Sequence, residues 1–206
     1  MSSVLATTAI RGRFLDIQNT VAQARDIHDQ VRYVEDGLLI IKNGKIQWFG
    51  SWQEGQHQLA AGLTVTHYPE QLIIPGMIDT HIHFPQTEMV GAYGEQLLEW
   101  LNTYTFPTEI QFQDSSYSEK IAEFFVQELL KNGTTTALVF CTVHPESVDA
   151  LFNAATTRNM RLIAGKVLMD RHAPDALMDT ADRAYSESKA LIEKWHGKGR
   201  NLYAIT

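Results

Sequence analysis

The sequence predicts an α/β protein in two parts, a small β domain of the sandwich type over residues 1–70 and an alternating β/α segment over residues 71–206. In the first part apolar and polar residues alternate over short stretches, which is typical of β-strands. In the second part apolar β-type runs alternate with helical patterns. That order indicates a parallel sheet with right-handed crossovers, closed as a (β/α)8 barrel or open as a doubly wound sheet.

A β-hairpin is the clearest local feature of the first part. Residues 38–41 and 46–49 are apolar and flank the sequence Lys42-Asn43-Gly44-Lys45. Asn-Gly supplies the two positive φ angles that a type I′ turn needs, so the two runs are expected to pair.

Further strands are predicted on either side of the hairpin. Residues 9–17 form an apolar strand, residues 18–36 form a polar excursion, and residues 63–68 alternate like another strand. Isolated histidines in a β domain are usually surface or packing residues, so no functional role is assigned to those of this region. They are His28, His57 and His67.

The functional prediction centres on an apolar run, residues 72–86, that ends in two histidines. Side chains of an extended chain alternate between faces, so Asp79, His81 and His83 point one way. Two imidazoles on one side can share a metal ion, and the Asp79 carboxylate can orient one of them by accepting a hydrogen bond from its other ring nitrogen. The opposite face is expected to pack into the core. It carries Ile78, Thr80 and Ile82.

The surroundings of this run favour a catalytic strand. A His-x-His pair taken alone is more often an ordinary packing or surface feature. Here Pro75-Gly76 near the start and Phe84-Pro85-Gln86 at the end describe one short strand that opens into a loop, the place where barrel enzymes keep their catalytic groups. No strand is followed by a glycine-rich phosphate loop, which disfavours a dinucleotide-binding sheet and favours the barrel.

After this strand, helices and strands alternate. Ser116-Tyr117-Ser118-Glu119 is a capping-box sequence that predicts the start of a long helix, and Asn132-Gly133 predicts its end. Further helices are predicted over residues 96–103, 147–158 and 180–196, and strands over residues 134–140, 161–169 and 202–206. With the histidine-bearing strand this makes about four of the eight strands of a barrel.

Composition indicates a globular protein with a small-molecule ligand. Hydrophobic residues make up 44% of the 206 residues, and the formal net charge is -7. An acidic chain without a Lys/Arg cluster argues against nucleic acid as a partner. The single cysteine, Cys141, excludes an internal disulfide, and no apolar run approaches the roughly 18 residues of a membrane span. We therefore expect a cytoplasmic protein without membrane contact.

Residues 75–86 resemble the opening strand of the amidohydrolase superfamily, a family of metal-dependent (β/α)8 hydrolase barrels with the motif Asp-x-His-x-His. Residues 84–109 resemble the guanine deaminase family within it, at Pro85-Gln86, at residues 97–101 and at residues 104–109. The resemblance implies that His81 and His83 bind one zinc ion, with iron not excluded. It also implies that Gln86 hydrogen-bonds the purine edge.

The implied reaction is hydrolysis of guanine to xanthine and ammonia, by a complete enzyme that is a homodimer. A barrel takes about 250 residues, and residues 71–206 number 136. The remaining metal ligands and the acid/base carboxylate are expected beyond residue 206, so the chain is interpreted as an N-terminal portion without its own catalytic acid or base. Half a barrel is also expected to leave apolar edges uncovered, at residues 134–140 or 202–206.

Other functions remain open at this point. Another amidohydrolase, acting on a triazine, pyrimidine or adenosine-like amine, or a metal phosphoesterase would use the same two histidines. A fragment that binds metal weakly or pairs with another chain, without turnover, is a non-enzymatic alternative. The His144-Pro145-Glu146 sequence resembles part of the cytidine-type zinc site, but that site also needs Pro-Cys-x-x-Cys. With one cysteine in the chain, these residues are instead expected to start a helix.

Three further features are given a structural role more readily than a functional one. Trp100 and Phe106 could form an aromatic wall against a flat base, although core packing is the commoner fate of such residues. Asp170-Arg171 could shape a pocket, although such pairs mostly organise loops.

Overall fold

The computed structural model describes residues 7–19, 24–94 and 96–206. The chain divides into two compact units, Met1–Pro75 and Gly76–Thr206. The predicted domains, 1–70 and 71–206, differ from these units in residues 71–75, because the last strand of the first unit continues to Ile73. Within the described ranges, no helix has the length and apolar character needed to cross a membrane.

The first unit is built on one four-stranded sheet. Its strands are β1 (Thr8–Ile17), β2 (Val31–Lys42), β3 (Lys45–Ser51) and β4 (Val65–Ile73). Their order is β3-β2-β1-β4, antiparallel except for the parallel pair β1 and β4. A sandwich needs two facing sheets, and the described part of this unit contains a single sheet. The short helix α1 (Trp52–Gly55) and two 3-10 turns, Ala24–Gln30 and Gln56–Gln58, complete the unit.

The predicted hairpin is confirmed, whereas the predicted polar excursion is partly wrong. Asn43 and Gly44 have φ angles of 56° and 71°, as a type I′ turn requires. β2 begins at Val31 rather than at residue 38, since Val31 pairs with Ile17 at the far end of β1. A bidentate Arg32–Asp16 ion pair joins the same two strands, with bonds of 2.9 and 2.5 Å. Polar side chains thus occupy the exposed faces of a long strand.

The second unit is a parallel sheet with the order β5-β6-β7-β8 and three long helices. This confirms the predicted βα repeat. Its strands are β5 (Met77–His83), β6 (Thr134–Phe140), β7 (Arg161–Gly165) and β8 (Asn201–Tyr203). Its helices are α2 (Leu97–Trp100), α3 (Phe106–Ile110), α4 (Ser115–Lys131), α5 (Pro145–Thr157) and α6 (Ala181–Trp195). Shorter turns are Phe84–Met89, a π-helical turn Leu101–Thr105, Gln111–Gln113 and Asp175–Leu177.

One face of this sheet packs on α4 and α5 to form the main core. Alternate residues of β6, Ala137 and Val139, are fully buried in it, together with Leu162 of β7 and Phe152 of α5. The opposite sheet face carries the residues between them, which are less buried. β6 lies between β5 and β7, so both of its edges are paired with neighbouring strands. Of the two alternatives predicted for an open edge, residues 134–140 are therefore excluded, whereas residues 202–203 belong to β8, which with β5 forms the ends of this sheet.

Two element boundaries differ from the predictions for local reasons. α4 begins one residue before the predicted capping box, because the Asp114 carboxylate accepts hydrogen bonds from the backbone N–H groups of Ser116 and Tyr117. The capping box assigned to Ser116 is therefore wrong. β7 ends at Gly165, four residues before the predicted end, where the chain turns to bury Lys166.

Candidate metal and substrate site

β5 presents the two predicted metal ligands at the carboxyl end of the sheet. The predicted strand over residues 72–86 is divided, since Leu72 belongs to β4 and the break falls at Pro75-Gly76. β5 runs parallel to β6, with His83 opposite Phe140. Because all four strands are parallel, the residues that follow them lie along one edge of the sheet, where α/β proteins place their sites.

The face of β5 opposite the histidines is only partly buried. Ile82 packs against the main core as predicted. Ile78 is 68% exposed and Thr80 is also exposed, so the prediction that they pack into the core is wrong. β5 is an end strand of the sheet, and the core reaches it only near its carboxyl end.

The separation of His81 and His83 suits a shared metal ion. Their ring centroids are 5.2 Å apart with an interplanar angle of 67°. In a zinc site the Zn–N bond is about 2.05 Å long, and the bound nitrogen lies about 1.15 Å from the ring centre, so each centroid lies about 3.2 Å from the metal. Two such centroids at a tetrahedral angle are about 5.2 Å apart. The observed separation therefore fits two imidazole ligands of one ion.

The burial of His83 also favours the form of imidazole that binds metal ions. Burial, and then the neighbouring His81, hold the pKa of His83 below its usual value. A neutral imidazole keeps a nitrogen lone pair for a metal. In the described part of the chain no cluster of three or more His, Cys, Asp or Glu side chains could hold an ion. Catalytic zinc has three protein ligands, so this pair forms a partial donor set.

Asp79 has a different partner from the one expected. Its Oδ1 accepts a hydrogen bond of 3.0 Å from the backbone N–H of His81. The carboxylate therefore holds the strand that carries the imidazoles. A hydrogen bond from an imidazole to Asp79 stays a prediction.

Gln86 lies beside the histidines in the turn Phe84–Met89. Phe84 and Pro85 are buried and anchor this turn, and the Thr87 hydroxyl donates to the carbonyl of Phe84 at 2.6 Å. The turn leaves Gln86 half-buried, in a groove of about 780 Å³ that His81 and His83 also line.

This groove is lined by residues from both faces of the end strand β5. Besides the histidines it is lined by Ile82 and Phe125, whose side chains belong to the opposite, core-facing side. Trp100 lines the groove, and its role as an aromatic wall stays a prediction, whereas Phe106 is partly buried outside the groove.

A buried ionic cluster at the same sheet edge was missed by sequence reasoning. Lys166 follows β7 and its side chain is fully buried. Its Nζ bonds to a carboxylate oxygen of Asp179, donates to the carbonyl of Val143 at 2.6 Å and lies 3.1 Å from a Glu187 oxygen. Arg183 donates to the other Asp179 oxygen at 2.8 Å. The lysine thus joins the loops after β6 and β7. A lysine inside the apolar run 161–169 was the available signal.

Two other predicted features have structural roles in the described chain. Asp170 and Arg171 are exposed and pair with each other at 3.1 Å, as expected of a loop pair. His144 precedes α5, which has Pro145 in its first turn, so the predicted helix start is confirmed.

Comparison with known proteins assigns the chain to a family. Residues 72–202 match the amidohydrolase family model, and the chain belongs to the amidohydrolase family. It is 58% identical over 206 residues to guanine deaminase of Escherichia coli, covering all of this chain and 47% of that protein. The structure of the E. coli enzyme superposes with a TM-score of 0.93 at 59% identity, over 97% of this chain and 46% of that one.

A guanine deaminase from C. acetobutylicum with guanine bound in its active site superposes with a TM-score of 0.84 at 28% identity, over 98% of this chain and 46% of that one. The chain thus spans about half the length of the relatives it matches. The second unit corresponds to part of the (β/α)8 barrel of these amidohydrolases.

Proposed function

We propose that this chain contributes two metal ligands and one wall of the substrate pocket to a zinc-dependent guanine deaminase, which hydrolyses guanine to xanthine and ammonia. The observation that carries the proposal is the pair of imidazoles 5.2 Å apart at the carboxyl end of β5, within the family motif. The similarity to guanine deaminases over the whole chain supports guanine as the substrate.

Each residue has a distinct part in this proposal. His81 and His83 hold the metal, and Asp79 holds their strand through the His81 backbone. Gln86 carries both a donor and an acceptor, which suits the edge of a purine, and Trp100 offers a flat apolar wall. Bound zinc would lower the pKa of its water to about 7. The acid or base that moves the proton is expected outside these 206 residues.

The metal, the compartment and the oligomeric state are finer parts of the proposal. Zinc is the preferred ion because imidazole ligands are typical of zinc sites. Imidazole pairs also suit iron. A single buried cysteine and the acidic composition support a cytoplasmic protein with a small-molecule substrate. Homodimerisation of the complete enzyme is proposed from the resemblance.

The experiment measures bound metal per chain and the loss of guanine absorbance. It uses the chain, His81→Ala and His83→Ala, with His67→Ala as a control because that histidine is exposed on β4. We expect the two β5 variants to lose bound metal and the control to keep it. Metal content unchanged in both β5 variants would contradict the two-ligand proposal.

Turnover separates the remaining alternatives. Guanine loss by this chain indicates an assembled site, and turnover of a triazine or adenosine-like amine in its place indicates another amidohydrolase. Bound metal without turnover of any of these amines indicates a non-catalytic fragment.

A further inference from the structure

Phe140 is the aromatic residue closest to both candidate metal ligands. It ends β6, directly opposite His83 in the strand register. Its ring stacks on His83 with centroids 4.8 Å apart and an interplanar angle of 12°, and lies 5.1 Å from His81. With 5.2 Å between the two imidazoles, the three rings form a nearly equilateral triangle.

The ring of Phe140 is directed to the histidines rather than into the core. Its strand neighbours Ala137 and Val139 are fully buried on the helix-covered face. Phe140 follows Val139 and therefore projects to the other face, and it is absent from the buried core cluster of the described residues. Core packing alone therefore does not explain an aromatic side chain at this position.

Metal-binding histidines need something that fixes their ring planes. The terminal torsion of a histidine side chain has a broad energy minimum, so the backbone of β5 does not determine the ring orientation. In most metal sites a hydrogen bond to the second ring nitrogen does so. Among the described residues, neither imidazole has such a bond, and the Asp79 carboxylate bonds to backbone instead. The ring of Phe140, stacked on His83 with centroids 4.8 Å apart, is a contact that restricts this rotation.

We infer that Phe140 is a positioning residue that fixes the ring planes of His81 and His83, so that both rings are oriented for one metal ion. The inference rests on the proposed function in that the ion is the one proposed above. Phe140 itself does not touch the metal or the substrate in this account. It acts by removing rotational freedom that would otherwise be lost on metal binding.

The test compares zinc affinities measured by competition with a chromophoric chelator. Phe140→Leu keeps an apolar side chain but removes the stack, and Phe140→Tyr keeps the stack. The cost of ordering one or two side chains predicts zinc binding about three- to tenfold weaker for F140L. We expect F140Y to bind zinc as the unmodified chain does.

A matched control separates positioning from loss of stability. Phe152→Leu removes a buried ring of α5 that stacks on Trp195 with centroids 5.4 Å apart and does not line the groove. It is expected to lower the unfolding temperature without changing the zinc affinity. Equal zinc affinity in F140L and the unmodified chain, or an equal loss in F152L, would overturn the inference.

A second measurement needs no metal. A ring stacked at 4.8 Å shifts the imidazole proton resonances of His83 upfield, and this shift is expected to disappear in F140L and persist in F140Y. If the unmodified chain binds no zinc, the metal pair of the proposed function is wrong, and the resonances alone decide whether Phe140 orders the imidazoles. Resonances that are the same in F140L and the unmodified chain would overturn the inference.

Discussion

Glu109 of α3 is a buried carboxyl group that makes the stability of the fold depend on pH. It is 8% exposed, and among the described residues no cation pairs with it. Thr105, one helical turn earlier, is 3% exposed, and its hydroxyl has no hydrogen-bond partner in the described chain. Burial of the charged form raises the pKa of Glu109 to about 7. Ionisation of the buried Glu109 carboxyl group is therefore expected to lower the stability of the fold.

The size and sign of the effect follow from this pKa. It moves from 4.5 in the unfolded chain to about 7, and at about 1.4 kcal/mol per unit this corresponds to about 3 kcal/mol. Because the folded-state pKa is the higher one, the folded chain binds more protons than the unfolded chain between these values. The free energy of unfolding therefore falls as the pH rises through this window.

Glu109→Gln removes the ionisation and keeps a side chain of similar size. We expect the variant to match the unmodified chain near about pH 4 and to be more stable by up to about 3 kcal/mol near about pH 8. Urea unfolding followed by circular dichroism at several pH values measures the difference. Glu119→Gln, at an exposed position of α4, is the matched control and is expected to show no such trend. A difference between E109Q and the unmodified chain that stays constant with pH would refute the reasoning.

Two further predictions concern the loops at the carboxyl edge of the parallel sheet. Lys166→Met leaves the buried Asp179 without its lysine partner, while Arg183 still donates to the other carboxylate oxygen. We expect the free energy of unfolding to fall by about 1.5–3 kcal/mol, the contribution of a hydrogen bond to a charged group, with partial recovery in a double variant that also carries Asp179→Leu. Urea unfolding measures this, and equal losses in the single and double variants would contradict it. Gly165→Ala places a Cβ 1.8 Å from the carbonyl oxygen of Ala204, whereas Gly94→Ala meets no atom within 4 Å. Since backbone atoms must move, we expect G165A to lower the unfolding temperature clearly and G94A to leave it unchanged.

The candidate site was predictable as far as it depends on one short segment. Alternation along a strand put His81 and His83 on one side, and the structure places them 5.2 Å apart. The same alternation failed for Ile78, because burial of that face depends on which strands and helices cover it. Asp79 was expected to reach an imidazole, yet it bonds to the backbone two residues on. Short polar side chains often make such local bonds, and alternation along a strand does not reveal them.

Several features of this edge depend on residues far apart in the chain. The stack of Phe140 on His83 requires the register of two strands separated by α4. The Lys166 cluster requires two loops to meet, and the pKa of Glu109 depends on how completely its neighbours exclude water. Each of these features depends on contacts between segments that are far apart in the sequence. Residue spacing alone carries no information about such contacts.

The sequence by itself determined the hairpin at Asn43-Gly44, the alternation of strands and helices after residue 76 and the identity of the two candidate ligands. Turn geometry and side-chain alternation are properties of a few consecutive residues, so they can be read from the sequence directly. Only the tertiary structure decided which strands lie at the ends of the sheet, which ring stacks on an imidazole and which charged groups are buried. Those outcomes are set by packing between segments that meet only when the chain is folded.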